Sequence, residues 1–174
     1  MPWPPQTSTI AVLVIIAAAS VSDLRRGRIP NTLTLGSAAV ALLLQTVMSG
    51  WAGLAWALGG WVVGIVLFAP LYVVKGMGAG DVKLLAAIGS WLGPVGALWT
   101  ALYGAMAGGV LALIVATMRG YTRKALSNVG TIVMTWRAAG VQPVPGLTLS
   151  DAESVRLPYA VPLAVGAALT LWLH

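Results

Sequence analysis

Two carboxylates stand out in this chain because of where they fall. Asp81 sits in Lys75-Gly-Met-Gly-Ala-Gly-Asp-Val-Lys83, a glycine-rich, charged interruption between two apolar segments. Asp23 sits in a comparable break, Ser22-Asp-Leu-Arg-Arg-Gly-Arg-Ile-Pro-Asn31, and only four acidic residues occur in all 174 positions. A carboxylate beside hydrocarbon is costly unless it has a partner or a task. Two held a few ångströms apart do not both ionise readily, so one keeps its proton near neutral pH. One then serves as general base toward a water and the other as general acid toward a substrate carbonyl. The chain offers little competing chemistry. It has no cysteine and a single histidine, His174, which excludes thiolate catalysis, disulfides and a His/Cys zinc site. A Ser/Lys dyad is also unsupported, because Ser90 lies too far along its segment from Lys75 or Lys83. A purely structural reading stands beside the catalytic one: Asp23 as an N-cap or a partner of Arg25 and Arg26, Asp81 as an N-cap for span four. Capping and catalysis are compatible.

The residues around the pair carry weaker signals. Gly76, Gly78 and Gly80 lack side chains, which admits positive φ and lets an extended peptide approach Asp81. Lys83 either biases the charge of the pair or anchors the inner face; the anchor is the simpler reading. Pro30-Asn31 stops one loop and starts the next apolar segment. Gly59-Gly60, Gly64, Gly104 and Gly108-Gly109 read as close helix packing.

The elements that must position these side chains are membrane spans. The chain is 59% hydrophobic and 8% charged, with a mean hydropathy of +0.90; soluble domains carry about 25% charged residues. The expected fold is all-α and polytopic, one membrane-embedded domain over 1–174 with about six transmembrane helices. A span needs ~20 apolar residues, and 7–22, 32–50, 52–74 and 157–173 each suit one. Residues 84–118 hold no charge; as one helix they would run ~52 Å against a ~30 Å core. Gly93-Pro94 therefore divides them into spans at about 81–92 and 95–118. The N-terminus has no cationic region and no Ala-x-Ala site, so the first span is expected to be retained.

Charge sets the orientation. With six spans and the N-terminus outside, the inner loops 23–31, 75–83 and 119–156 contain all ten Lys and Arg residues. The +6 net charge is then a topology signal and not a nucleic-acid footprint. Asp23 closes span one and Asp81 opens span four, so both arrive at the cytoplasmic face. Trp3, Trp51, Trp91 and Trp172 are expected at the outer interface. In the large inner loop, Lys124, Asn128, Thr131 and Thr135 recur on one side of a helix over about 122–137. Leu126, Val129, Ile132, Val133 and Trp136 fall on the other, which predicts a helix lying in the lipid interface.

At these residues the chain resembles a known family. Asp23-Leu-Arg-Arg-Gly-Arg-Ile-Pro-Asn31 resembles the first aspartate motif of the type IV prepilin peptidases. Gly78-Ala-Gly-Asp-Val-Lys83 resembles their Gly-x-Gly-Asp motif, shared with the wider class of intramembrane aspartyl proteases. Leu157-Pro-Tyr-Ala-Val-Pro-Leu163 resembles the Pro-Tyr segment that opens the last helix of short members, with Pro162 placed to kink that helix. The resemblance implies an inner-membrane endopeptidase that removes leaders from prepilins and pseudopilins at the cytoplasmic face. It makes Asp23 and Asp81 the catalytic aspartates, requires no metal or cofactor, and points to pilus or secretion machinery as partners. Larger members also carry a Cys-x-x-Cys domain and methylate the new N-terminus; a cysteine-free chain is not expected to do so. Its size is similar to that of peptidases serving tight-adherence pili, and archaeal preflagellin peptidases are related. Asp151 and Glu153 are candidate acids for receiving a basic leader. Two other readings stay open: an ion-coupled transporter with boundary aspartates, and a non-catalytic assembly subunit.

Overall fold

In the computed structural model, residues 6–147 and 158–174 are described, and among them only helices occur as regular elements. These are α1 (Gln6–Arg26), α2 (Asn31–Val73), α3 (Ala79–Met118), α4 (Thr122–Ala139) and α5 (Ala160–Leu173). The first three are long and apolar enough to cross a membrane, while α5 has 14 residues.

Two of the long helices are not straight rods. At Gly50 the backbone leaves the helix at φ 59°, and at Gly93 at φ 72°. Both values lie in the left-handed region, which glycine enters without steric cost. The contacts show what each break does. A Cβ added at Gly53 would collide with the Gln45 carbonyl, and one at Gly89 would come within 3.1 Å of the Ala97 side chain. Residues eight apart in a straight helix are separated by ~12 Å, so α2 and α3 each double back into two arms. Five helices thus contain six apolar arms, and the two breaks fall at the boundary expected between spans 32–50 and 52–74 and at Gly93-Pro94.

The first arm of α3 is the centre of the bundle. From Asp81 to Gly93 every residue except Lys83 is buried. The two arms of α2 run along it in opposite senses. On one side Asn31 pairs with Lys83 and Ser37 with Trp91, a parallel register. On the other, Gly60 meets Gly89 and Gly64 meets Ala86, an antiparallel one. Both glycine contacts are so close that a Cβ would meet backbone, the packing expected of small residues in apolar helix pairs. The second arm of α3 runs antiparallel to α5, with Thr100 hydrogen-bonded to Thr170 and Gly104 against Gly166. The C-terminal end of α1 meets the start of α5. Outward faces carry large apolar side chains such as Leu43, Val47, Met106 and Val110, all exposed. Water tolerates no such continuous coat on a monomer; lipid does.

Two sequence expectations need correction here. Trp51 and Trp172 are 85% and 80% exposed, but Trp91 is 5% exposed and donates its indole N–H to Ser37 at 2.9 Å. It belongs to the core because the first arm of α3 is enclosed on every side. Pro162 does not kink α5: it is the third helical residue, where its missing N–H would have no intrahelical acceptor. Trp3, Asp151, Glu153 and Arg156 lie outside the described residues.

Candidate active site

The site is assembled from three helix ends. Helix α1 stops at Gly27, whose φ of 60° turns the chain and whose N–H donates to the Asp23 carbonyl, a left-handed C-cap. Ser22 Oγ donates to the Arg28 carbonyl at 2.8 Å and closes the loop that leads into α2. Asp23 therefore projects from the last turn of α1, half-buried. Its Oδ2 accepts the N–H of Ala160 at 3.2 Å. That N–H is one of those α5 cannot satisfy internally, and the positive end of a helix favours an anion there. Asp23 is thus not a cap of its own helix; it caps α5.

Asp81 is built from the opposite direction. Gly78 is the N-cap of α3 at φ −79°, and Asp81 is the third helical residue. Its Oδ2 accepts the Gly78 N–H at 3.3 Å, the reach-back half of a capping box. The sequence reading of Asp81 as the N-cap itself is therefore off by three residues. Its side chain is only 8% exposed. Both carboxylates line one open cavity of about 730 Å³ and are close enough for the charge of one to be felt at the other.

Gly76, Gly78 and Gly80 do not adopt positive φ; among described residues of this loop that conformation falls on Lys75, at φ 57°. The reason is the end of α2. The Gly76 N–H donates to the Leu71 carbonyl at 2.9 Å, which closes the terminal turn and forces the residue before Gly76 to be left-handed. Two of the glycines do serve close approach, though to neighbours within this chain. A Cβ on Gly78 would lie 3.1 Å from the Asp81 carboxylate, and one on Gly80 would lie 3.3 Å from Ile29. Gly80 thereby lets the loop after α1 press against the start of α3.

Lys83 has a role that neither sequence reading anticipated. Its ammonium donates to Asn31 Oδ1 at 2.9 Å, so it joins the two aspartate-bearing loops. Asn31 was visible only as a span start. Tyr159 was quoted in the Pro-Tyr segment but given no role. It caps α5 immediately before the Ala160 N–H that Asp23 holds, and it lines the same cavity. Its phenol hydroxyl is a hydrogen-bond donor at neutral pH. Tyr72, from the end of α2, completes the rim.

An apolar helical bundle with paired carboxylates in a cavity at one end is the class that fold and site define. The chain belongs to the type IV leader peptidase family, whose sequence profile matches residues 10–113 and so includes both aspartate loops. It is 34% identical over 130 residues to the "Type 4 prepilin-like proteins leader peptide-processing enzyme" of Escherichia coli O78:H11, covering 69% of this chain and 48% of that one. It is 36% identical over 115 residues to a "Prepilin leader peptidase/N-methyltransferase" of Burkholderia pseudomallei strain 1026b, covering 62% and 37%. The chain thus spans about half or less of the length of these relatives. No solved structure matches it.

Proposed function

We propose that this protein is a membrane aspartic endopeptidase that removes leader peptides from type IV prepilins or pseudopilins, with Asp23 and Asp81 activating water. The observation that carries this reading is the common construction of the two carboxylates. They come from the ends of separate helices, open into one cavity, and each commits Oδ2 to a backbone N–H at a helix start. In each, Oδ1 is the oxygen left for chemistry. One aspartate takes a proton from a bound water as that water attacks the scissile carbonyl, while the other, protonated, donates to the carbonyl oxygen. As the tetrahedral intermediate collapses, the first passes its proton to the departing amine and the second takes one back from the gem-diol hydroxyl. The Tyr159 hydroxyl supplies a second donor to that carbonyl oxygen as charge builds on it on the way to the tetrahedral intermediate. An extended peptide enters between the 75–80 loop and Tyr159, with its apolar helix lying against the lipid-facing bundle.

The six apolar arms cross the inner membrane, with the cavity on the cytoplasmic side where all ten cationic residues fall. The names of the relatives and the family profile support the substrate class. The test is co-expression with a tight-adherence-type prepilin, read as a gel shift, for wild type, Asp23→Asn and Asp81→Asn. Loss of cleavage in both variants at normal membrane levels is expected. Cleavage surviving in either would remove the paired-aspartate mechanism. Ion flux into liposomes without any protein substrate would replace the peptidase by a transporter.

A further inference from the structure

Helix α4 is left over by the site and by the bundle. None of its 18 residues is buried, and among the described residues it packs against α3 alone. Its position follows from the fold. The first arm of α3 starts at the cavity with Asp81 and reverses at Gly93, so the second arm returns to the cavity end. The antiparallel pairing of Thr100 with Thr170 and of Gly108 with Pro162 agrees, since α5 starts beside Asp23. Helix α4 begins four residues after α3 ends, past a left-handed turn at Gly120. It therefore sits at the rim of the bundle on the same end as the two aspartates.

Its surface has two halves. At 100° per residue, Ala125, Leu126, Val129, Ile132, Val133 and Trp136 occupy an arc of about 120°. Ser127, Asn128, Thr131 and Thr135 fill the opposite side. Leu126, Val129 and Val133 are exposed. Arg123 and Arg137 flank one edge of the apolar arc, one near each end of the helix, and Arg119 precedes it. No carboxylate occurs between residues 119 and 147. An apolar strip edged by arginines, with long stems able to lie along lipid while the guanidinium reaches headgroups, matches an anionic bilayer surface in both halves. The strip also continues the lipid-facing coat, because the preceding Met118 is itself exposed.

We propose that α4 is a membrane-surface helix that binds anionic phospholipid at the cavity end of the bundle, its apolar arc immersed and its arginines on the headgroups. This does not rest on the peptidase reading, only on insertion of α1–α3 in a bilayer.

The absence of cysteine makes the test direct. Single cysteines at Leu126, Val129 and Val133, and at Asn128, Thr131 and Thr135, are nitroxide-labelled in the full-length protein. Each is reconstituted in nanodiscs of phosphatidylcholine alone or with phosphatidylglycerol. Collision with oxygen should exceed collision with a water-soluble nickel chelate at the first three positions, and the reverse should hold at the others. Phosphatidylglycerol should increase the immersed population, and each of Arg119→Gln, Arg123→Gln and Arg137→Gln should reduce that gain by about fivefold. Equal water access all round the helix would overturn the proposal. So would immersion indifferent to lipid charge, and so would labels shielded from both reagents with short label-to-label distances, which would assign the face to a second copy.

Discussion

The two aspartate regions reach the same cavity by opposite constructions. Asp81 lies on the most enclosed segment among the described residues, and its carboxylate is held by an N–H three residues away at the N-cap of its own helix. Asp23 lies on the last turn of a peripheral helix, half-buried, and is held by an N–H 137 residues away on α5. The first geometry forms as soon as α3 does. The second exists only once α1 and α5 have docked. One carboxylate is therefore fixed by local structure and the other by tertiary structure, and the site is complete only when the bundle is closed.

The largest expected effect tests what the two share. Asp23→Asn and Asp81→Asn should each lower cleavage by about 10³-fold or more, the scale of a lost general acid or base with its partner left idle. Their stabilities should barely change, because an asparagine oxygen still accepts the same N–H. Alanine separates the constructions: at either position it removes the cap, at about 1 kcal/mol. For Asp23→Ala, unlike Asp81→Ala, the loss should appear as faster proteolysis or hydrogen exchange at the start of α5. Equal protection of α5 in the two alanine variants would break the comparison.

Next in size is Tyr159→Phe, which probes the residue that the Asp23 contact positions. A lost donor to the developing oxyanion costs about 10²-fold in kcat, with KM for the prepilin little changed and α5 still protected. An effect confined to KM would make Tyr159 a substrate contact instead.

How much of this was legible beforehand depends on whether the signal was local. The reversal near residue 50 could be read from span length, that at Gly93 from Gly93-Pro94, the helix over 122–137 from helical spacing, and the arrival of Asp23 and Asp81 at one end from charge. The partners of the aspartates could not, because composition and spacing carry no information on which helix start will lie beside the end of α1. The same limit hid the Lys83–Asn31 tie and the burial of Trp91, whose ring looks like an interfacial anchor until two arms of α2 are known to enclose it. The loop glycines misled for another reason: the left-handed residue was set by the end of α2, one position earlier, at Lys75.

A third test challenges the enclosure of Asp81. Gly60→Ala and Gly64→Ala put a methyl group into the backbone of Gly89 and Ala86, and overpacking of this kind costs about 1–3 kcal/mol. Both should reduce folded yield and thermal stability in detergent. The control is Gly36→Ala, at a position with open space around it, which should be neutral or slightly stabilising. Equal behaviour of all three would mean that the second arm of α2 is not seated on α3 as described.

The smallest effect concerns the bridge between the two regions. Lys83 is half-buried and Asn31 is exposed, so solvent competes for their hydrogen bond and its worth is about 1 kcal/mol or less. Lys83→Met and Asn31→Ala should each lower cleavage a few-fold, through imprecise placement of the two loops and not through loss of a reacting group. The informative quantity is the double variant. If the bond is what both residues contribute, the double variant should be no worse than either single one, a non-additivity that distant sites do not show. Full additivity would mean that Lys83 acts on the carboxylate pair by its charge alone. In that case Lys83→Arg, which keeps the charge, should retain activity where Lys83→Met loses it, by the same factor in the Asn31→Ala background as in the wild type.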